Sequence, residues 1–430
     1  MIFMKKISLL LVVIVMIVPT SALADGEHKD LHMQPNADII TMIQQVNHSL
    51  VFDYHDMLMS FGPRYTGSEN CFKAGDWLYD TFDDMGLDVA FHAWEYNGFS
   101  CRNIVAKLPG VDPDSTAEII MSAHYDCTPG SLGADDDGSG VAAVLAAASI
   151  MKDYSFNHTI TFIAFSGEEV GTYGSFCYAR DAYLNGDNIH AVINLDMIGY
   201  ANSTKGGNLL RFHCPDRSWW IGEQSQTYAD AYLDYTNLSV ETRPNYIGAD
   251  HQPFIDYGYD GVWIAHHDGH PWANSPEDTP EHLNWTYQVK ATKALLAIVA
   301  EFASQPIPVQ VMLTSPQEGR MYLFDIPLFP LHLGKQWYKG LRGATIILGR
   351  PTAQVEIVSK DPIDRVIYCI DGNFIVSLNE QPYEWKIQGK HNPIYGKHSL
   401  DVYVYTEKGD VAVDHMDIWI LTFSCQYGRF

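Results

Sequence analysis

Apolar and polar positions fall into three regimes along the chain. Between residues 25 and 60 the apolar residues recur at helical spacing, in ADIITMIQQV (37–46) and HSLVFDYHDMLMSF (48–61), so a helical lead-in is expected. Gly62-Pro63-Arg64 breaks it, and FKAGDWLYDTFDDMG (72–86) predicts an amphipathic helix that stops at Gly86. LDVAFHAWEY and NIVAKLPG then read as strands. From 118 to 303 buried strands alternate with helices. The strands are EIIMSAH (118–124), TITFIAF (159–165), AVINL (191–195) and GVWIAHH (261–267); the helices are 140–151, 218–233 and 284–303. This alternation predicts an α/β fold, a mostly parallel sheet sandwiched by helices. Gln305-Pro306-Ile307-Pro308 interrupts it. Beyond that break lie short strands separated by turn residues, from VQVMLTSP (309–316) to DIWILTF (417–423), which predict a small all-β sandwich domain. The expected organisation is therefore a leader at 1–24, an α/β domain at 25–305 and a β-sandwich at 306–430.

The leader is expected from pattern and charge together. Lys5 and Lys6 precede an apolar run from Ile7 to Val18, and Ala22-Leu23-Ala24 offers small residues at a cleavage spacing. The run is short for a membrane span. A cleaved signal peptide is the reading, so the mature chain is secreted or at the cell surface and is not an integral membrane protein. Without those two lysines, 25 bases face 52 acids, a net charge of −27. Such a surface repels phosphate backbones, which argues against nucleic acid as a partner. Seven cysteines, none in a CxxC pair, are compatible with disulfides after export, and the odd count leaves at least one thiol free or paired between chains. Asn-x-Ser/Thr sequons stand at Asn47, Asn157, Asn202, Asn237 and Asn284.

Candidate chemistry collects where the expected strands end. His124 closes EIIMSAH, Glu168 and Glu169 follow TITFIAF, Asp196 follows AVINL, and Asp136 lies in GADDDGSG just before a helix. In open α/β sheets ligands bind beyond the carboxyl ends of strands, so these distant residues meet at one edge. One imidazole with several carboxylates suits a pair of divalent cations such as zinc, one carboxylate bridging both. A further carboxylate must take a proton from the activated water, and the adjacent Glu168 and Glu169 can divide the roles of base and ligand. Asp126 is placed to hold the other imidazole nitrogen of His124. Asp250 and His251 are candidates for a supporting or substrate-contacting role. Each residue alone would pass for a helix cap, a solvated turn or a satisfied strand end; their order makes the case.

That order resembles the peptidase family M28, co-catalytic zinc peptidases that include secreted aminopeptidases. The phrases are Ser122-Ala123-His124-Tyr125-Asp126, Gly133-Ala134-Asp135-Asp136-Asp137-Gly138-Ser139-Gly140, Phe165-Ser166-Gly167-Glu168-Glu169 and Asn194-Leu195-Asp196-Met197-Ile198-Gly199. Gly62-Pro63-Arg64-Tyr65-Thr66-Gly67-Ser68, Ala249-Asp250-His251-Gln252-Pro253-Phe254 and Asp278-Thr279-Pro280-Glu281-His282-Leu283-Asn284 extend the resemblance over residues 40–303. It implies a zinc-exopeptidase fold acting on peptide substrates. It also implies that His124 and Glu169 hold one Zn2+, that Asp196 holds the other and that Asp136 bridges them. Glu168 is then the general base, and the Asp136–Asp137 bond is cis. Residues 364–423 resemble an Ig-like module through Asp364-Arg365-Val366, Pro382-Tyr383-x-Trp385 and Gly396-x-His398-x-Leu400-x-Val402. Such modules serve as spacers or attachments, here with the cell surface.

The sequence departs from the family at one ligand. Four residues before Asp278, where the resemblance calls for histidine, stands Asn274. Two Zn2+ ions are the expectation, and one is the alternative that this replacement opens. Asn274 or His270, in the run His266-His267-Asp268-Gly269-His270, completes the site; the sequence leaves both open. Two other readings stay beside the aminopeptidase: a glutaminyl cyclase or carboxypeptidase-like enzyme on the same scaffold, and a surface-binding protein whose site has decayed.

Overall fold

The computed structural model describes residues 33–331, 344–388 and 393–422. The leader expected at 1–24 and Cys425 lie outside the described residues. Among those described, no helix is long and apolar enough to cross a membrane. Three capped helices come first: α1 (Ala37–Gln45), α2 (His48–Met59) and α3 (Glu69–Asp84). Asn36, Asn47 and Ser68 each set a side-chain oxygen on a first-turn amide, so the lead-in divides at Val46 and Asn47 rather than running as one helix. A hairpin follows, β1 (Asp88–Tyr96) and β2 (Phe99–Leu108), turning through Asn97 and Gly98 at φ 50° and 82°.

The strand–helix region then runs β3 (Glu118–His124), α4 (Gly138–Met151), β4 (Thr159–Phe165), α5 (Tyr173–Asn185), β5 (Ile189–Leu195) and β6 (Leu209–Cys214). It continues with α6 (Trp219–Ala231), α7 (Leu233–Thr236), β7 (Ser239–Pro244), α8 (His251–Asp256), β8 (Gly261–His266) and α9 (Trp285–Ser304). These strands form one eight-stranded sheet in the order β1-β2-β4-β3-β5-β8-β6-β7. Its centre, β4-β3-β5-β8, is parallel, while β1/β2, β2/β4 and β8/β6 pair antiparallel. Nearly every residue of β3, β4 and β5 is buried. Successive strand side chains point to opposite faces, so both faces are covered, and the continuous apolar runs follow from that. α4 is almost wholly buried, its alanines letting it lie close to β3 between α2 and α9. α5 packs beside α8 and against β1 and β2.

After α9 the described residues form strands alone: β9 (Val309–Ser315), β10 (Arg320–Leu323), β11 (Ile326–Pro330), β12 (Thr345–Leu348), β13 (Thr352–Ser359), β14 (Ile363–Ile370), β15 (Asn373–Leu378), β16 (Trp385–Lys386), β17 (Tyr395–Thr406) and β18 (Val411–Leu421). They form a seven-stranded sheet, β11-β10-β12-β18-β17-β14-β15, and a three-stranded one, β16-β13-β9. Leu313 and Trp385 from the smaller sheet share a core with Tyr322, Ile347, Val366, Leu400 and Ile418 from the larger. The alternating burial of β18 is what such a layered pair requires.

Candidate active site

His124 ends β3, Glu168 and Glu169 lie just past β4, and Asp196 follows β5, so three neighbouring parallel strands deliver them to one edge. Around His124 the orientation is decided by its two ring nitrogens. Nδ1 lies 3.1 Å from the backbone carbonyl of Asp126, an acceptor, so Nδ1 carries the proton. Nε2 is thereby left with a lone pair, aimed at carboxylates: Asp136 Oδ1 at 3.1 Å and Asp196 Oδ1 at 3.9 Å. A lone pair facing two anions is unfavourable unless a positive charge stands between them. Burial pushes the His124 pKa down, but Asp126, Asp136 and Asp196 push it up, and the balance lies well above the ordinary value. This spot demands a cation, and proton and metal compete for it.

The other carboxylates repeat the demand. Burial, followed by the charge of Asp136, pushes Glu169 up to about 9. Its Oε1 is buried without a hydrogen-bond partner. Burial also drives Glu168 well above its usual range, with Asp250, Asp196 and Glu169 adding repulsion. A divalent cation would relieve both. His124, Asp137 and Asp196 each bring a buried ligand atom within 4.8 Å of the others. Asp137 is nevertheless spoken for. Its Oδ2 accepts the His124 amide at 3.2 Å, and its Oδ1 accepts the amides of Gly140 and Met197, both at 3.0 Å. Asp136 has its carboxylate turned to His124 instead and is the better donor to a cation. The peptide bond joining these two aspartates is cis.

Of the two residues left open for the last ligand, Asn274 reaches the cluster: its Nδ2 is 2.9 Å from Asp136 Oδ2. His270 does not. Its Nδ1 is 3.8 Å from Asp135 Oδ2 and its ring packs on Tyr200. His124 Nε2 faces Asp136 and Asp196 together, and the charges of both Asp136 and His124 act on Glu169. Asp126 differs from the expectation. Its backbone carbonyl, rather than its carboxylate at 3.6 Å, takes the closer contact with His124. The carboxylate instead accepts the amides of Glu168 (3.3 Å) and Glu169 (3.4 Å) and the Thr66 hydroxyl (2.6 Å). Asp250 is buried, takes the Ser175 hydroxyl, and is pushed up by burial to about 7. His251 Nε2 faces Asn245 Oδ1 at 2.8 Å, at the start of α8.

Three supporting residues were not singled out from sequence. Asp278 accepts the amides of Asp135 (2.9 Å) and Asp136 (3.1 Å), fixing the loop that presents Asp136. Asp137 does the same for the start of α4. Arg64, fully buried, donates to the carbonyls of Tyr125 (2.8 Å), Leu132 (2.8 Å) and Gly133 (3.3 Å), stapling the loop between His124 and Asp136. Its Gly-Pro-Arg setting reads as a turn, which hides the role.

Residues 103–299 match the sequence profile of peptidase family M28. Leucine aminopeptidase 1 of Penicillium rubens is 27% identical over 306 residues, covering 64% of this chain and 76% of that protein. Among solved structures, BSAP, a zinc aminopeptidase from Bacillus subtilis, superposes with a TM-score of 0.54 at 17% identity, over 60% of this chain and 96% of that one. A glutaminyl cyclase from Bacteroides thetaiotaomicron superposes with a TM-score of 0.52 at 21% identity, over 59% and 98%. At such identities the two structures speak for the fold alone. Over residues 103–299 this chain is therefore similar to peptidase family M28.

Proposed function

We infer that this chain is a metal-dependent aminopeptidase, with His124, Asp136, Asp196 and Glu169 as its cation donors. The observation that carries this is the Nε2 of His124 held among the carboxylates of Asp136 and Asp196. Two Zn2+ ions would suit this donor set, in which His124, Asp136, Asp196, Glu169 and Asn274 would hold them. Bound there, such ions would polarise a peptide carbonyl and lower the pKa of water.

The chain's own residues supply the rest. Glu168, raised by burial and by neighbouring carboxylates, accepts a proton from the attacking water and hands it to the departing amine. Asp126 fixes the Glu168 backbone through its amide. The excess of carboxylates at the sheet edge attracts a free α-ammonium, which favours removal of N-terminal residues over internal cleavage. The leader supports secretion, and the β region after α9 suits a spacer or a cell-surface attachment.

The glutaminyl cyclase reading has the same fold behind it, so the product must decide. The test is metal per chain by elemental analysis, with hydrolysis of aminoacyl p-nitroanilides and of a glutaminyl peptide before and after chelation. The expected result is chelator-sensitive release of free amino acids. Glu168→Gln should keep its metal yet lose about 10²–10⁴ in kcat. Pyroglutamyl product without residue release would establish the cyclase instead, and metal retained with no turnover of any peptide would mark a binding protein.

A further inference from the structure

We propose that Cys71 and Cys101 form a disulfide that staples the first turn of α3 to β2. Both are buried, at 0% and 4% exposure, and their Sγ atoms lie 3.6 Å apart. A bond needs about 2.05 Å, so the approach required is about 1.6 Å shared between two χ1 rotations. Among the described residues no other two thiols are in contact. Cys127 gives its S–H to the Ser131 carbonyl at 3.2 Å, and Cys214 gives its own to the Phe212 carbonyl at 3.5 Å. The backbone around the pair is fixed. Ser68 caps the Cys71 amide at 3.2 Å, and Cys101 is in register with Trp94 of β1. The Tyr125 hydroxyl is 3.6 Å from Cys101 Sγ and donates to the Arg102 carbonyl at 2.8 Å. The staple therefore backs the segment that leads into Asp126.

Closure is a thiol–disulfide exchange. One cysteine thiolate attacks a sulphur of glutathione disulfide and releases one glutathione thiolate. The second cysteine thiolate then attacks the mixed disulfide and releases the other. Two electrons pass to glutathione, two protons leave the cysteines, and two glutathione thiols result. The closed loop spans 30 residues and holds α3 and β1. The gain is in stability, since neither cysteine touches the catalytic carboxylates.

The test uses the full chain, both native and refolded from denaturant, equilibrated in a glutathione redox buffer, quenched with acid, unfolded, alkylated with iodoacetamide and digested. Mass spectrometry should find the Cys71 and Cys101 peptides joined and lighter by two hydrogens, with Cys127, Cys177, Cys214 and Cys369 alkylated. The oxidised chain should melt on the order of 5 °C above the reduced one. Cys71→Ser and Cys101→Ala should each erase that difference while leaving peptidase activity within about twofold. Alkylation of both cysteines in native and refolded samples overturns the proposal. So does a bond from either one to any other cysteine, Cys425 included.

Discussion

Asn274 donates to Asp136 at 2.9 Å, and under the proposed function it is the residue that would set how tightly a second cation is held. The residue sits at φ 59°, a left-handed conformation that asparagine tolerates and that histidine also visits more than most residues. Asn274→His should thus fit the backbone without breaking the 267–277 loop. Its imidazole would replace a hard, weak amide donor opposite Asp136. Calorimetric titration of the chelated chain with Zn2+ should show the weaker binding step tightening on the order of tenfold or more. Metal retained after dialysis should rise accordingly. An unchanged binding curve would mean that Asn274 is not at a cation position. The meeting of His124, Asp136 and Asp196 was readable because these residues are punctuated by glycines and strand ends. The choice between Asn274 and His270 was not, since it depends on how an irregular loop folds. That loop carries His270 to Asp135, beside the His266 Nε2 at 3.0 Å, and Asn274 to Asp136.

Helix α4 shows why an element's start can matter more than its length. Propensity alone says that Gly140→Ala in a helix stabilises by about 1 kcal/mol. The structure reverses the sign. A Cβ at Gly140 would fall 2.5 Å from both oxygens of Asp137, whose carboxylate serves the amides of His124, Gly140 and Met197. Displacing it releases three buried donors beside the cation site. Gly140→Ala should therefore lose roughly 2–4 kcal/mol in denaturant unfolding and bind metal more weakly. A variant as stable as the parent would show that the carboxylate can yield. At this scale the sequence spoke clearly for β3, β4 and β5, whose apolar runs are buried on both faces. It was silent on α5, which is buried on so many sides that it has no polar stripe, and on β6, whose residues alternate between full and partial burial. α8, six residues with Pro253 in its first turn, is too short to show a period.

At the scale of the whole molecule a buried ionic cluster ties the α/β part to the β region, and no periodicity announces it. Arg217, just before α6, is buried and pairs with Asp260 (2.9 Å) from its own part, and with Glu318 and Asp414 (2.9 Å) from the part beyond α9. Three carboxylates around one guanidinium leave an excess of negative charge away from water. Burial pushes Glu318 up to about 8 from an ordinary 4.5, although the Arg217 charge opposes it. Between those two values the folded protein holds a proton that the unfolded chain has lost, so each step up in pH through that window removes stability. Melting temperature of the metal-loaded protein should fall as pH rises from 5 to 8. Glu318→Gln keeps a neutral side chain of the same shape against Arg217, so its melting temperature should vary less over that range and exceed the parent's most at pH 8. Metal loading matters here because Asp250 and Asp278, both pushed up by burial to about 7, would otherwise titrate in the same window with the same sign. Equal slopes in the two proteins would place the proton elsewhere and leave Arg217 neutralised by carboxylates that are all ionised.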